Sequence, residues 1–530
     1  MSLVQVTDLT VQFGDLRAVD GLSFTLERGA ALALVGESGS GKSTVASALL
    51  GLHHGTGALL GGSIEVAGTD VQAASDGELR KLRGAKAAMV FQDPLSSLDP
   101  YYAIGDQIAE VYRVHTRASR RAARVRAVEV LDRVGIPDAP RRSRSRPHEF
   151  SGGMRQRALI AMALACEPEL LIADEPTTAL DVTVQAQILD LLHTLREETG
   201  MGLLLVTHDV GVAAESVDRV LVMRHGRVVE QGPVAAVLGA PAEPYTRELL
   251  SAVPRVDAVR APSQASEEVV LEAKGLRREF GRGKRAFAAV DDVTLTVHRG
   301  ETLGVVGESG SGKTTLGRML VGLLEPTAGE VRYDGRARVG VNPAVQMVFQ
   351  DPVSSLNPRR SVGESIADPL RARGERDEGR IRGRVIELLE RVGLEGAHYQ
   401  RYPHEFSGGQ RQRVGIARAL AADPRVIVCD EPVSALDVTT QAQVVALLGE
   451  LQRELGLALV FVAHDLAVVR QVSDRVAVMR RGRIVETGPA DEVYDNPQDP
   501  YTRQLLAAVP ALDPEAAARR RAARRELASA

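Results

Sequence analysis

The eight residues VGESGSGK occur twice in this chain, at Val35–Lys42 and at Val306–Lys313, and a hydroxyl residue follows each copy. Glycines at this spacing let backbone N–H groups converge on phosphate oxygens, the lysine reaches the outer phosphates, and the hydroxyl is a magnesium ligand. An apolar run precedes each copy, as expected of a strand, a loop and a helix in succession. The repeat therefore predicts two sites for a nucleoside triphosphate with Mg²⁺.

Each predicted phosphate loop extends from its first glycine to the second hydroxyl residue at the start of the helix. The residues assigned to nucleotide binding are Gly36, Glu37, Ser38, Gly39, Ser40, Gly41, Lys42, Ser43 and Thr44 in the first copy, and Gly307, Glu308, Ser309, Gly310, Ser311, Gly312, Lys313, Thr314 and Thr315 in the second.

Two acids end an apolar run in each half of the chain, as LLIADE at Leu170–Glu175 and VIVCDE at Val426–Glu431. An aspartate at such a strand end suits the magnesium side of a phosphate site, and a neighbouring glutamate can polarise an attacking water. The predicted metal ligands are therefore Ser43 with Asp174 and Thr314 with Asp430, and the predicted catalytic acids are Glu175 and Glu431.

The repeat extends well beyond the phosphate loops, which indicates a duplicated domain. The segments FQDP, EFSGG, DEP, HD and PYTR recur in the same order, with a constant offset of 256 residues from Ser151 and Ser407 to the ends of the copies. Short apolar runs alternate with amphipathic segments, which favours an α/β fold with a largely parallel sheet. We predict a first domain at 1–253, a linker at 254–268, a second domain at 269–510 and a basic tail at 511–530.

Composition narrows the class of protein. The chain has 65 basic and 69 acidic residues, so its net charge of -4 gives no global attraction to nucleic acid. Two distant cysteines, Cys166 and Cys429, suit a reducing compartment and exclude a disulfide framework. No apolar run approaches the ~20 residues that span a bilayer, so any membrane role needs a partner's spans. We expect the Arg-rich tail to be solvated rather than bound to anionic lipid.

The segments SGGMRQR and SGGQRQR precede the two acid strands by about twenty residues, and with them the array resembles the ATP-binding cassette (ABC) ATPases along nearly the whole chain, twice. The resemblance implies two tandem P-loop NTPase domains, each with a mainly parallel core sheet, an antiparallel β subdomain and a helical subdomain. It also implies that each signature serine and its two glycines bind the γ-phosphate of ATP held by the opposite domain.

Further site residues follow from this resemblance. Gln92 and Gln350 match the glutamine that senses magnesium and the attacking water, and the implied metal ligands include both. His208 and His464 match the switch histidine. The remaining matches are Ser151, Gly152, Gly153, Ser407, Gly408 and Gly409 for the signatures, Asp181 and Asp437 for the D-loops, and Phe13 and Phe280 for adenine stacking, with Phe287 as a rival in the second copy.

The segments around these motifs are similar to the oligopeptide, dipeptide and nickel importer group of ABC ATPases, with two subunits fused into one chain. They are FQDPLSSLDP and FQDPVSSLNP, PHEFSGG in both copies, and EPYTRELLSAVP and DPYTRQLLAAVP near the domain ends. The group implies two membrane permease subunits, an extracytoplasmic solute-binding protein and a place at the cytoplasmic face of the membrane. The cargo that is compatible with this group of importers includes dipeptides, oligopeptides, glutathione-like solutes and nickel.

Many members of this group carry a cysteine cluster for an iron–sulfur centre near the C-terminus. Neither cysteine of this chain lies there, so we expect no cluster.

Both sites keep their glutamate and histidine, so we expect both to hydrolyse ATP. The two copies differ in one signature position, where the first has Met154 and the second has Gln410. A soluble tandem ABC protein acting on ribosomes or DNA is the alternative, but the 15-residue linker and the net charge count against it. A third alternative is a purely regulatory ATP-binding module. Such a module is expected to lack the catalytic acids, but Glu175 and Glu431 are present.

Overall fold

The computed structural model describes residues 2–178, 180–257, 265–281, 283, 286–351, 355–434, 436–513, 516, 517, 519, 520 and 524. The chain divides into two compact units, one formed by Met1–Val253 together with Pro510–Ala530 and the other by Pro254–Val509. Residues 258–264 of the predicted linker, and Arg521 and Arg525 of the predicted tail, lie outside the described residues.

The first unit contains two sheets and a set of helices. Its strands are β1 (Ser2–Phe13), β2 (Leu16–Glu27), β3 (Ala31–Val35), β4 (Leu59–Val66), β5 (Thr69–Asp70), β6 (Ala87–Val90), β7 (Leu170–Asp174), β8 (Gly202–Thr207), β9 (Arg219–Arg224) and β10 (Arg227–Pro233). Its helices are α1 (Lys42–Leu49), α2 (Asp76–Leu82), α3 (Pro94–Ser97), α4 (Ile104–Thr116), α5 (Arg120–Arg133), α6 (Ala139–Arg142), α7 (Gly152–Leu164), α8 (Val182–Thr199), α9 (Val210–Ser216), α10 (Val234–Gly239) and α11 (Pro244–Ala252).

The second unit repeats this arrangement. Its strands are β11 (Val269–Phe280), β12 (Phe287–His298), β13 (Thr302–Val306), β14 (Ala328–Tyr333), β15 (Arg336–Arg338), β16 (Val345–Val348), β17 (Val426–Asp430), β18 (Ala458–Val462), β19 (Arg475–Arg480) and β20 (Arg483–Pro489). Its helices are α12 (Lys313–Leu320), α13 (Val362–Ala372), α14 (Glu378–Arg391), α15 (Gly408–Leu420), α16 (Val438–Leu455), α17 (Leu466–Val472), α18 (Ala490–Asp495) and α19 (Pro500–Ala507).

A six-stranded sheet forms the centre of each unit, in the order β10-β9-β3-β8-β7-β6 and β16-β17-β18-β13-β19-β20. All its strands are parallel except the hairpin strand at one edge, β10 or β20. A four-stranded antiparallel sheet accompanies it, in the order β2-β1-β4-β5 or β12-β11-β14-β15. The α/β prediction, with a parallel core and an antiparallel sheet in each half, is confirmed.

Burial on both faces explains why the core strands are continuous apolar runs. All five residues of β3 are buried. Leu32 and Leu34 pack into the apolar cluster that includes the antiparallel sheet, whereas Ala33 and Val35 pack into the cluster that includes α4, α5 and α7. Such two-sided cover is typical of parallel sheets.

The sheet order determines which loops meet. The neighbouring strands β3, β8, β7 and β6 are parallel, so their carboxyl ends lie at one edge of the sheet. The phosphate loop follows β3, Gln92 lies just beyond β6, Glu175 directly follows β7, and His208 follows β8. Ligand sites in such sheets lie at this edge. The fold thus gathers residues that are up to 172 positions apart in the sequence, from Gly36 to His208.

Arg524, near the C-terminus, packs in the first unit. The guanidinium of Arg524 lies 3.0 Å from Asp190 in α8, and its side chain is only 11% exposed. The expectation of a solvated tail is therefore wrong for Arg524, because an acidic partner on a distant part of the chain buries it. Among the described residues, no helix combines the length and the apolar character needed to cross a bilayer.

Candidate nucleotide site

The two phosphate loops have a backbone shape that only glycine tolerates at defined points. Gly41 and Gly312 have φ values of 98° and 106°, and Gly36 and Gly307 have φ values of 152° and 151°. A Cβ added at either Gly36 or Gly307 would lie 2.2 Å from a main-chain oxygen of strand β9 or β19. Side chains rarely adopt these φ values, so the glycine spacing in the sequence reflects the geometry of the loop.

The lysine of each loop is buried and bonded to the loop itself. The Nζ of Lys42 donates to the main-chain oxygens of Gly36 and Glu37, both at 2.8 Å. The Nζ of Lys313 donates to those of Gly307 and Glu308 at 2.7 and 2.9 Å. Each ammonium group is thus held within the loop, on the side where backbone N–H groups and the start of α1 or α12 favour an anion.

A hydroxyl and a carboxylate meet beside each loop. The Oγ of Ser43 donates to Asp174 Oδ1 at 3.0 Å, and the Oγ1 of Thr314 donates to Asp430 Oδ1 at 2.9 Å. Burial raises the pKa of both aspartates above the usual range, against the lowering effect of the hydroxyl groups. These are hard oxygen donors of the kind that Mg²⁺ binds, and a cation there would favour the ionised carboxylates. The donor set fits magnesium.

Glu175 lies at the centre of a hydrogen-bonded cluster. It accepts from Gln92 Nε2 at 2.8 Å, from Thr178 Oγ1 at 2.9 Å and from His208 Nδ1 at 3.1 Å. Its own N–H donates to Val206 in β8 while its φ is 47°, an uncommon value outside glycine. This left-handed backbone turns the carboxylate out of the end of β7 and towards the other strand ends.

The electrostatics of this cluster favour an ion pair. Burial acts to raise the pKa of Glu175, but the hydrogen bond and charge of His208, with smaller effects of Thr178 and Lys42, together outweigh it, so that the pKa lies below its ordinary value. The same hydrogen bond raises the pKa of His208, against the opposing effect of burial. An anionic carboxylate next to a hydrogen-bonded amide and imidazole is suited to orienting and polarising a water molecule.

The cluster in the second unit is similar but not identical. Glu431 accepts from Gln350 Nε2 at 2.8 Å and from His464 Nδ1 at 3.1 Å. Burial lowers the pKa of His464, but the hydrogen bond to Glu431 and the charges of Glu431 and Asp465 together outweigh it and raise the pKa. The pKa of Glu431 is correspondingly lowered, against the effect of its burial. Ser434 stands where the first unit has Thr178, and its hydroxyl donates to the main-chain oxygen of Glu431 instead of the carboxylate.

This ion pair predicts a pH-dependent stability. The raised pKa of His208 stabilises the folded unit fully below the ordinary value of 6.5, and this contribution is lost as pH rises through the raised pKa. The lowered pKa of Glu175 stabilises it above the ordinary 4.5, and this is lost as pH falls through the lowered pKa. We expect His208→Ala to reduce the free energy of unfolding more at about pH 5.5 than at about pH 9, in urea titrations followed by circular dichroism. An equal loss at both pH values, or the same pattern for the exposed His148→Ala, would contradict the pairing.

The signature and D-loop residues cap helices elsewhere in each unit. Ser151 Oγ accepts from Met154 N and begins α7, and Ser407 Oγ accepts from Gln410 N and begins α15, both at 3.3 Å. Gln410 also accepts from Ser407 N at 3.0 Å, so the Met154 difference removes one capping bond from the first unit. The other residues lie alongside: Gly152, Gly153, Gly408 and Gly409 in the first turns of α7 and α15, and Asp181 and Asp437 as the caps of α8 and α16.

The aromatic candidates lie in the hairpins of the antiparallel sheets. Phe13 ends β1 and contacts the ring of His53 edge to face, with 5.3 Å between ring centroids. Phe280 and Phe287 are a cross-strand pair with centroids 5.9 Å apart, and the guanidinium of Arg278 lies 5.0 Å above Phe280. The second unit therefore offers both candidates at one place, and the assignment of adenine stacking remains a prediction.

Two contacts at the sites were missing from the sequence analysis. One is the hydrogen bond from Thr178 to Glu175, because no sequence pattern distinguishes this threonine from others. The other is Tyr501, whose hydroxyl accepts from the N–H of Glu308 in the second phosphate loop at 3.0 Å. The guanidinium of Arg480 lies over the Tyr501 ring, 4.7 Å from the ring centroid. The repeated PYTR segment was the available signal, since Tyr245 lies under Arg224 in the same way.

The phosphate loops, acid strands and sheet order define P-loop ATPases, and comparison with known families gives the class. The family model described as ABC transporter matches residues 19–178 and 290–434, and the chain belongs to this family of ATP-hydrolysing proteins. A second model, described as the C-terminal region of oligopeptide/dipeptide transporters, matches residues 229–275 and 485–529. The resemblance to this group is confirmed.

The chain is similar to the glutathione import ATP-binding protein GsiA. It is 48% identical to GsiA of Escherichia coli strain K12 and 47% identical to that of Salmonella choleraesuis, in both cases over 94% of this chain and 87% of the relative. Among solved structures, the dimeric post-hydrolysis state of the cassette MJ0796 with ADP and Pi is 31% identical, covers 42% of this chain and 98% of its own, and has a TM-score of 0.39.

Proposed function

We propose that this chain is the ATP-hydrolysing subunit of an importer for short peptides of the glutathione kind. The observation that carries this proposal is that matching clusters of acidic, amide and imidazole side chains beside a glycine-rich loop occur in both halves of a chain whose closely similar relatives, along nearly its whole length, are glutathione import proteins. Glutathione is itself a tripeptide, so it falls within the peptide class that the oligopeptide/dipeptide C-terminal region suggests.

The proposed mechanism gives each cluster one ATP. Lys42 and Lys313 turn from the loop carbonyls to the outer phosphates, and the loop N–H groups hold the remaining oxygens. Magnesium, held by Ser43 with Asp174 and by Thr314 with Asp430, would supply charge neutralisation at the phosphates. Glu175 and Glu431 polarise the attacking water. The side chains that the family resemblance matched to the glutamine and the switch histidine position that water and the γ-phosphate. They are Gln92, Gln350, His208 and His464.

We assign the signature of each unit to the ATP held by the other unit, as the family resemblance implies. Lys42, Glu175 and His208 would then share one ATP with Ser407, and Lys313, Glu431 and His464 would share the second with Ser151. The serines begin helices whose first N–H groups can bind an anion, which supports a contact with phosphate. ATP binding would favour the closed pair, and hydrolysis would release it.

Exposed apolar surface next to the Gln92 and Gln350 loops supports contact with permease subunits. In the first unit Tyr101 and Tyr102 are 80% and 61% exposed, close in sequence to the exposed Phe91 and Leu95. In the second unit a cavity of about 400 Å³ is lined by residues that include Leu323, Val341, Met347, Phe349 and Pro369. Apolar surface of this kind marks interaction sites in soluble domains. We propose that segments 93–149 and 351–405 face two membrane subunits at the cytoplasmic side.

A deletion and complementation experiment tests the cargo. We expect deletion of the gene to abolish uptake of labelled glutathione and short peptides, and the unaltered chain to restore it. The chain carrying Tyr101→Ala and Tyr102→Ala should keep its ATPase activity in solution but not restore uptake. Loss of nickel uptake with unchanged peptide and glutathione uptake would contradict the proposed cargo, as would unchanged uptake of all of them.

A further inference from the structure

The helix that follows the switch histidine carries a buried acid in the first unit. Helix α9 begins two residues after His208, and Asp209 caps it by accepting from Gly211 N at 2.8 Å. Near its other end, the side chain of Glu215 is only 2% exposed. A buried carboxylate is costly unless it has hydrogen-bond or charge partners, so the groups around Glu215 decide how firmly α9 is held.

The partners of Glu215 include the end of the chain. The N–H of Ala511 donates to Glu215 Oε1 at 3.3 Å, and the guanidinium of Arg524 lies 3.6 Å from Glu215 Oε2. The same guanidinium donates to Asp190 in α8 at 3.0 Å. Pro510 lies against the first turn of α9, since a Cβ added at Gly211 would be 3.0 Å from its side chain. The C-terminal segment therefore contacts both ends of α9.

The corresponding helix of the second unit is anchored differently. In α17, Arg470 donates to Asp495 in α18 at 2.7 Å, approaches Asp491 at 3.4 Å and lies over the ring of Tyr494. The first unit lacks this anchor, because the positions aligned with Arg470, Asp491 and Asp495 are Ala214, Ala235 and Gly239. Conversely, the positions aligned with Glu215 and Asp190 are Gln471 and Ala446. Each unit has one of the two anchors.

We infer that the C-terminal segment, through its described residues Pro510, Ala511 and Arg524, is a positioning segment for α9, in the role that Arg470 has for α17. The acidic recess formed by Asp190 and Glu215 takes this chain's own basic end as its partner. Through α9 and Asp209, the segment holds the loop that carries His208. The first ATP site thus depends on the C-terminal residues for its geometry, whereas the second depends on contacts near its own helix.

Amide hydrogen exchange on the full chain tests this inference. We expect Arg524→Ala to speed exchange in residues 210–216 by ~10-fold, the size expected when a buried acid loses a charged hydrogen-bond partner, and to leave residues 466–472 unchanged. Arg470→Ala, or the milder Asp495→Asn, should show the reverse pattern. The conservative Arg524→Lys, which keeps a cation beside Asp190 and Glu215, should retain most of the slow exchange in residues 210–216.

Unchanged exchange of residues 210–216 in Arg524→Ala, and also in a chain that ends at Leu512, would overturn the inference. If, in addition, these variants lost binding to vesicles of anionic phospholipid, the segment would be a membrane contact instead. A general increase of exchange across the first unit would also overturn it, since a positioning segment affects α9 selectively. None of these measurements involves cargo or permease. A result that overturns the role of the C-terminal segment would therefore leave the proposed importer function unaffected.

Discussion

We expect exchange of both Glu175 and Glu431 for glutamine to reduce ATP turnover by at least ~100-fold, the size of a typical general-base contribution, and to leave ATP binding close to normal. Glutamine has the shape of glutamate but no charge, so it keeps the place beside Gln92 and Gln350 while it loses the anion that polarises water. The phosphate loops, which lie on another strand end, keep their geometry. The measurements are phosphate release and equilibrium ATP binding by the purified chain.

Single variants separate the two sites. If both sites hydrolyse ATP, Glu175→Gln and Glu431→Gln should each lower ATP turnover, and the double variant should have a lower ATP turnover than either. Glu197→Gln is a matched control, since its exposed carboxylate lies on α8 and pairs with His193 away from the cluster. Turnover near that of the unaltered chain in the double variant would show that the catalytic acids lie elsewhere.

Substitution of the loop lysines should weaken ATP binding itself. We expect Lys42→Ala and Lys313→Ala each to weaken binding at the affected site by ~10- to 100-fold, because a hydrogen bond to a charged group contributes about 1.5–3 kcal/mol. The reason lies in the structure: each lysine is buried, and its ammonium group donates to two main-chain oxygens of its loop, from where it can reach a phosphate. Calorimetric titration with a non-hydrolysable ATP analogue measures the effect.

The control for charge alone is Lys81→Ala, a lysine on the exposed side of α2. It should leave ATP affinity unchanged. If Lys42→Ala bound the analogue as tightly as Lys81→Ala, the first loop would not be a phosphate site. Loss of binding in Lys42→Ala with an altered circular dichroism spectrum would indicate unfolding, and Lys42→Arg would then distinguish charge from shape.

The sequence was informative wherever the chemistry depends on close neighbours. The loop glycines, Lys42 and Ser43 lie within eight positions, and their spacing reflects backbone angles and reach that the structure also has. Asp174 follows a short apolar run of the length that is typical of a buried strand. By contrast, the meeting of Gln92 with Glu175 depends on the order of strands in the sheet, which spacing does not encode; only the family resemblance suggested it.

Residues were missed where a common side chain acts through a long-range contact. A threonine such as Thr178 is one hydroxyl among many, and its bond to Glu175 is visible only in three dimensions. The pairing of Arg524 with Asp190 joins positions separated by 334 residues. Charge pattern alone therefore predicted a solvated tail, since an Arg-rich segment without an identified partner is most simply hydrated.

The division of the first unit between the two ends of the chain also concerns how the protein is made. Met1–Val253 leaves the ribosome first, but the unit is completed only by Pro510–Ala530, after the whole second unit has been synthesised. At ~5–20 residues per second this interval is roughly ten to fifty seconds. During that time Glu215 has neither Arg524 nor Ala511 as a partner. The first domain to emerge is thus the last to be finished, and a nascent chain that stops early leaves it without its final contacts.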